Sequence, residues 1–369
     1  MKKVLFTLLI AVFLISGSLV LAWADQGSSE VKKTVWENLA FDLVGHYPIS
    51  KEDYFIAPNG KTTNLAMPKN WLFDVAMRRY IESHTSYQFG NPDGAHQTPL
   101  SRLEWPLNTW WMDMELRRTC PRWSVGGRFS FNVANDVVGK MEDSDWENPN
   151  NTKMLTTYSE TYARMGRDFM VRADVDVNIS DWLRLPKGME IRPLFAFQYQ
   201  HFSLYDLNGT QSSVGNYDNP EHGGIDGSSN VSSLDGTYIN FKQDYYMYMI
   251  GLRGSYDLLK PDKNVQIKLR GETNWGPVLG YNEDHHLRRE GNMFVREKTA
   301  GNALYFLFGA DTVLWKRLTV GFTMDYLWIR TIGVHKWINQ PLGVDQCWKD
   351  DVKVWSDQAS LIGHVSYAF

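Results

Sequence analysis

Leu318-Thr319-Val320-Gly321-Phe322-Thr323-Met324-Asp325-Tyr326-Leu327-Trp328 is the stretch whose reading decides the fold. Leu318, Val320, Phe322, Met324, Tyr326 and Trp328 alternate with Thr319, Gly321, Thr323 and Asp325. A period of two puts the large apolar side chains on one face of an extended strand and the polar ones on the other. The pattern recurs. Phe169, Val171, Ala173, Val175 and Val177 interleave with Arg172, Asp174, Asp176 and Asn178. Val265, Ile267 and Leu269 interleave with Gln266, Lys268 and Arg270, and Tyr246, Tyr248, Ile250 and Leu252 with Met247, Met249, Gly251 and Arg253.

A soluble β-sandwich alternates in the same way, so the pattern alone leaves two architectures open. Three features favour a transmembrane β-barrel. The chain ends on a strand with Leu361, Val365, Tyr367 and Phe369 on one face. Its 15 Trp and 18 Tyr exceed what a core needs and suit aromatic girdles at two membrane interfaces. Short turns (119–122, 180–188, 258–263, 315–317) alternate with long polar connections (139–157, 208–236, 281–292, 335–351), as in outer-membrane barrels. Strands starting before Gly90 and near Leu100, Arg122, Ser159, Met189, Thr237, Asn264, Met293, Leu318 and Val354 make ten, all antiparallel. The polar inward set of Arg172, Asp174, Lys268, Arg270, Glu272, Asp325 and His364 is expected to pair and plug the lumen, which excludes a wide pore and places function at the loop end.

The N-terminus fits export to an outer membrane. Lys2-Lys3, an apolar run from Val4 to about Val20 and the small-x-small exit Ala22-Trp23-Ala24 read as a signal peptide over residues 1–24. Residues 25–69 contain Pro48, Pro58 and Pro68 without sustained alternation and read as an extension before a barrel at 70–369. The 38 Lys and Arg, less Lys2 and Lys3, leave 36 against 42 Asp and Glu, a net of −6 that offers no attraction to nucleic acid. Cys120 in a short turn and Cys347 in a long connection fall at opposite ends of such a barrel, too far apart for a disulfide.

Chemistry is concentrated in Asp143-Ser144-Asp145 and Asp284-His285-His286. Each puts two ionisable groups at i and i+2, on one face of extended backbone, and both connections belong to the loop end. Asp284 and His286 share the lumen-facing parity of Gln266, Lys268 and Arg270, with Pro277 as a point where register could reset. Asp143 and Asp145 follow the outward parity of Val125, Phe129 and Phe131, so facing the other pair requires a one-residue slip near 135–139.

These segments resemble the omptins, ten-stranded outer-membrane endopeptidases of Gram-negative bacteria. The resemblance is carried by Met141-Glu142-Asp143-Ser144-Asp145-Trp146, Ser101-Arg102-Leu103-Glu104-Trp105, Lys242-Gln243 leading into Ile250-Gly251-Leu252-Arg253-Gly254-Ser255-Tyr256, and Asp284-His285-His286 after Trp275. It implies a peptidase with catalytic Asp143, Asp145, Asp284 and His286, a water nucleophile, no metal and no cofactor, acting on polypeptides with its site facing the extracellular medium. Asp284 is expected to orient His286 and favour its protonated form. Omptins also need lipopolysaccharide, bound through basic residues on the wall; here Asp244 follows Lys242-Gln243 where the family tends to be basic. At the substrate pocket, Asn282 replaces an acidic residue, and Tyr87, in Thr85-Ser86-Tyr87-Gln88, stands near a second one, which weakens the case for cleavage beside Arg or Lys.

Three other readings remain. A metal site at Glu283, Asp284, His285 and His286 is opposed by the adjacent histidines, which point to opposite strand faces. A non-enzymatic barrel, acting as an adhesin or receptor through its long loops, is the alternative from another class. A soluble secreted enzyme is the third.

Overall fold

The computed structural model describes residues 70–91, 98–134, 136–213, 230–258, 265–291, 293–315 and 317–369; the signal peptide and the 25–69 extension lie outside them. Fifteen antiparallel strands follow in chain order: β1 (Asn70–Phe89), β2 (Ser101–Pro106), β3 (Trp110–Thr119), β4 (Trp123–Asn132), β5 (Val137–Asp145), β6 (Thr157–Met165), β7 (Phe169–Val177) and β8 (Met189–Ser213). After them come β9 (Asn230–Leu234), β10 (Ile239–Asp257), β11 (Val265–His286), β12 (Met293–Leu314), β13 (Leu318–Asn339), β14 (Val344–Trp348) and β15 (Lys353–Ala368).

Pairing closes the sheet. At the turn end the ring runs β1, β3, β4, β7, β8, β10, β11, β12, β13, β15 and back to β1. At the loop end β2, β5 and β6 take the places of β3, β4 and β7. Thus β2 with β3, β4 with β5, and β6 with β7 are three interrupted staves, and the barrel has the ten expected. Closure leaves the ten-stave ring of described strands without an open edge, which is what a sheet in lipid requires, while β9 and β14 pair on one side only, with β8 and β13. Side chains take over hydrogen bonds lost at the interruptions: Asn132 Nδ2 donates to the Gly166 carbonyl at 2.7 Å, and Asp168 Oδ1 accepts from the Ser203 amide at 2.6 Å.

The alternation is realised as read. Val125 and Phe129, Ile250 and Leu252, and Val320, Phe322 and Met324 are exposed on the outer wall. Trp123, Trp182, Trp315, Tyr256, Tyr367 and Phe369 are exposed around the turn end, and Trp110, Trp275 and Tyr326 higher up, as two girdles. Strands β11, β12 and β13 have 22 residues each. That is about 70 Å of strand, or about 55 Å along the axis at a tilt of about 40°, against an apolar band about 25 Å tall. The upper barrel therefore stands clear of the lipid band.

Inside, the expected polar plug is present. Arg78 contacts Asp113 at 3.0 Å and Asp325 at 2.7 Å, Arg117 contacts Asp174 at 2.8 Å, and Glu272 pairs with Arg253 at 2.8 Å and with Arg172. His364 and Arg270 both reach Asp311, at 3.1 and 3.2 Å. Above this layer Tyr80, Trp111, Phe202, Tyr245, Phe241, Trp105 and Tyr87 are enclosed, forming the apolar core beneath the loop end.

Two expectations are corrected. Asp143, Asp145, Asp284 and His286 lie on strands β5 and β11, not in connections, because both strands continue their ladders to the rim and keep the backbone paired. Pro277 does not reset the register: it pairs with Asn302 in an unbroken β11–β12 ladder, and on its other side the β10–β11 pairing skips Gly276 and Pro277 and resumes in the same register. Cys120 sits in the β3–β4 turn and Cys347 on β14 at the other end, each as a free thiol.

Candidate active site

One glycine aims the aspartate pair. Along β4 the even-numbered Ser124, Gly126 and Ser130 are buried and face inward, and Val138 continues that parity. A bulge between Val137 and Gly139 then inserts one residue, after which the odd-numbered Met141, Asp143 and Asp145 face inward while Lys140 and Glu142 are exposed. This is the slip that the facing geometry demands, at the place the parity argument marks. Gly139 adopts φ +145°, and a Cβ there would lie 2.9 Å from Pro106 Cβ and Cγ, so both backbone and packing call for glycine.

Register places each group in a row. Tyr87 on β1 lies opposite Leu103 on β2, which lies opposite Asp143; one step nearer the rim, Phe89, Ser101 and Asp145 form the next row. On the other wall Phe241 of β10 lies opposite Asp284, and Ile239 opposite His286. The even parity of β11 holds throughout, so Asn282, Asp284 and His286 face inward and His285 faces out, stacked on Phe294 with centroids 4.0 Å apart.

All four groups lie at the loop ends of β5 and β11, and burial governs their protonation. Asp143 is held well above the usual carboxylate range by burial, then by the charges of Asp145 and Asp284; its Oδ1 is enclosed without a partner. Burial raises Asp145 to about 6, against a hydrogen bond from Ser101 that lowers it. Burial and the nearness of the second carboxylate both oppose full ionisation of the pair. Burial also raises Asp284 to about 8 and lowers His286 to about 3, with Arg289 pressing His286 in the same direction.

This corrects the expectation that Asp284 favours protonated His286. The carboxyl is itself enclosed, and the burial that raises it to about 8 weakens the negative charge it offers the imidazole. Nε2 of His286 stands 3.5 Å from Asp284 Oδ2, longer than a formed hydrogen bond, so the acid does little to offset the burial that lowers the imidazole.

Tyr87 and Asn282 are both in this region and both enclosed. The Tyr87 hydroxyl donates to Asp284 Oδ2, and Asn282 lies one row below Asp284 with both side-chain polar atoms unpartnered. Sequence reasoning missed the residue opposite Asn282. That residue, Glu297 on β12, is fully enclosed and paired through Oε1 with His335 Nδ1 of β13 at 2.8 Å. Inward parity on two neighbouring strands was the signal for it; no local motif carries it. Arg289, exposed in the β11–β12 turn, favours the charged forms of Asp143, Asp145 and Asp284 and was also missed. Among the described residues no group of three or more His, Cys, Asp or Glu is arranged to hold a metal ion. On the outer wall Asp244 accepts from the Tyr199 hydroxyl at 2.5 Å and contacts His201 Nδ1 at 2.8 Å.

Comparison with known proteins agrees with the fold. The crystal structure of the outer membrane protease OmpT from Escherichia coli is similar, with 16% identity and a TM-score of 0.68 over 82% of this chain and 97% of that one. The outer membrane protein OprG from Pseudomonas aeruginosa gives 12% identity and a TM-score of 0.34 over 82% and 97%, a level that supports no argument. No curated protein sequence matches the chain. The profile of the omptin family matches residues 87–329, which contain Tyr87, both aspartates of β5, Asn282 and the Asp284–His286 couple. The chain belongs to the omptin family.

Proposed function

We propose that the protein is an outer-membrane endopeptidase of aspartate–histidine type whose cleft opens to the extracellular medium and hydrolyses polypeptides with a bound water as nucleophile. The observation that carries the reading is the bulge at Gly139, which turns Asp143 and Asp145 inward, onto the side of the barrel that Asp284 and His286 also face. Asp284 lies close enough for its charge to act on Asp143. His286, held neutral by its surroundings, takes the proton from water as the hydroxide adds to the peptide carbonyl carbon. Asp284 releases its proton to solvent as His286 becomes cationic, balances the imidazolium, and takes a proton back from solvent once His286 is neutral again. The single proton on the Asp143–Asp145 pair lies ready for the developing oxyanion. Collapse of the tetrahedral species returns the His286 proton to the leaving amine.

Asn282 serves as the uncharged pocket residue, and the Glu297 carboxylate opposite it is tied to His335. A cationic side chain therefore meets less negative charge than two free acids would provide. Lipopolysaccharide of the outer leaflet is the lipid partner on which activity depends. Asp244 is already engaged by Tyr199 and His201, which supports a contact elsewhere on the wall. No cofactor enters the reaction.

The test is a peptide library incubated with detergent-refolded protein, with and without lipopolysaccharide. Cleavage by wild type in the lipid-containing arm, lost in Asp143→Asn and in His286→Ala, supports the reading. Binding without cleavage in both arms sinks it and leaves an adhesin or receptor.

A further inference from the structure

Tyr87 joins the two walls of the cleft. It belongs to the wall of Asp143, two strands away in the same cross-strand row, and its hydroxyl reaches Asp284 on the opposite wall. The ring is fully enclosed and stacked on Phe241 (centroids 5.5 Å, planes 16°), with Phe89 parallel at 6.4 Å and Trp105 stacked on Phe241 at 5.6 Å. A phenol held this way has little freedom to turn. Its target is the same oxygen, Oδ2, that His286 approaches at 3.5 Å, while Oδ1 has no partner. In the resting site the carboxylate is thus oriented by Tyr87 and only approached by His286.

We propose that Tyr87 is the positioning residue of the Asp284–His286 couple: from the opposite wall it fixes the Asp284 carboxyl and stabilises it in the charged form that balances His286 during turnover. The proposal rests on the peptidase reading. The groups facing Asp284 are Asp143 of β5, Asp206 of β8 and Glu297 of β12, all opposing its ionisation, Arg289 in the β11–β12 turn and Tyr87 of β1, which favour it, and His286 on its own strand. Arg289 acts from an exposed turn, whereas Tyr87 acts by a direct hydrogen bond. A hydrogen bond to an ionised acceptor is about twice as strong as one to a neutral acceptor, so this bond gains strength as the reaction charges Asp284.

Tyr87→Phe keeps the stacked ring and removes only the hydroxyl. At pH 7 its kcat is expected to fall about 10- to 100-fold. KM should stay within about twofold, and the step of the pH profile that reports Asp284 should move to higher pH. Unchanged kinetics overturn the proposal; so does an equal loss at every pH with no moved step, which marks a merely structural role. A second measurement needs no turnover. The infrared carboxyl band that disappears in Asp284→Asn should titrate at higher pH in Tyr87→Phe than in wild type, and coincident titrations overturn the proposal. Wild type that cleaves no peptide sinks the peptidase reading alone, because the infrared comparison still decides the role of Tyr87.

Discussion

Asp145 titrates in the range where enzymes are assayed, and that gives the residue scale its prediction. Burial raises it to about 6, and burial with the neighbouring charges raises Asp143 as well. Raising pH through about 6 therefore ionises Asp145 and gives the pair the negative charge that the reaction uses. Raising it further, through about 8, ionises Asp284. The kcat/KM profile should rise in two steps at those positions, and Asp145→Asn should lose most activity along with the lower step; a flat profile between pH 5 and 9 contradicts this. The four catalytic candidates were legible because i and i+2 spacing on a strand is a strict rule. Tyr87 bonded to Asp284, and Glu297 paired with His335, were not, since each contact joins segments far apart in sequence. The neutral state of His286 was also hidden, because desolvation depends on everything packed around the ring.

Strands carry the site only if their parity is right. On β11 parity runs unbroken from Gln266 to His286, so the sequence alone placed the couple inside the barrel. On β5 it does not, and the sequence could locate the required slip only to within a few residues. Which residue bulges is set by Gly139 at φ +145° and its contact with Pro106 at the end of β2. Gly139→Ala strains that backbone by about 1–3 kcal/mol and collides with the proline. The expected result is a folded barrel with kcat/KM lowered about 100-fold through misplaced Asp143 and Asp145. Heat-modifiable gel mobility checks the fold and peptide hydrolysis the site; full activity contradicts the assigned bulge.

At the scale of the whole molecule, the barrel is a rigid platform plugged by charge. Arg78 of β1, almost fully enclosed, neutralises Asp113 of the neighbouring β3 and Asp325 of β13, which lie on either side of it in the ring. Removing it strands two buried carboxylates, so Arg78→Met should cost about 3–5 kcal/mol in urea unfolding followed by tryptophan fluorescence in micelles. A loss below about 1 kcal/mol contradicts a structural role for the plug. Ten staves, inward charges and an outer aromatic wall were all legible from period-two patterning. The three interrupted staves were not, because their breaks are stabilised by side-chain hydrogen bonds such as Asn132 to Gly166 that no local pattern announces.

The central claim is that the β5 pair and the β11 couple act on one water, and a double-mutant cycle tests it most directly. The measurement is kcat/KM for wild type, Asp143→Asn, His286→Ala and the double variant, each verified as folded. Groups acting as a unit give losses of about 1000-fold or more in each single variant and no multiplied loss in the double. Full activity in either single variant, or losses that multiply, would mean that the two pairs do not share a reaction centre.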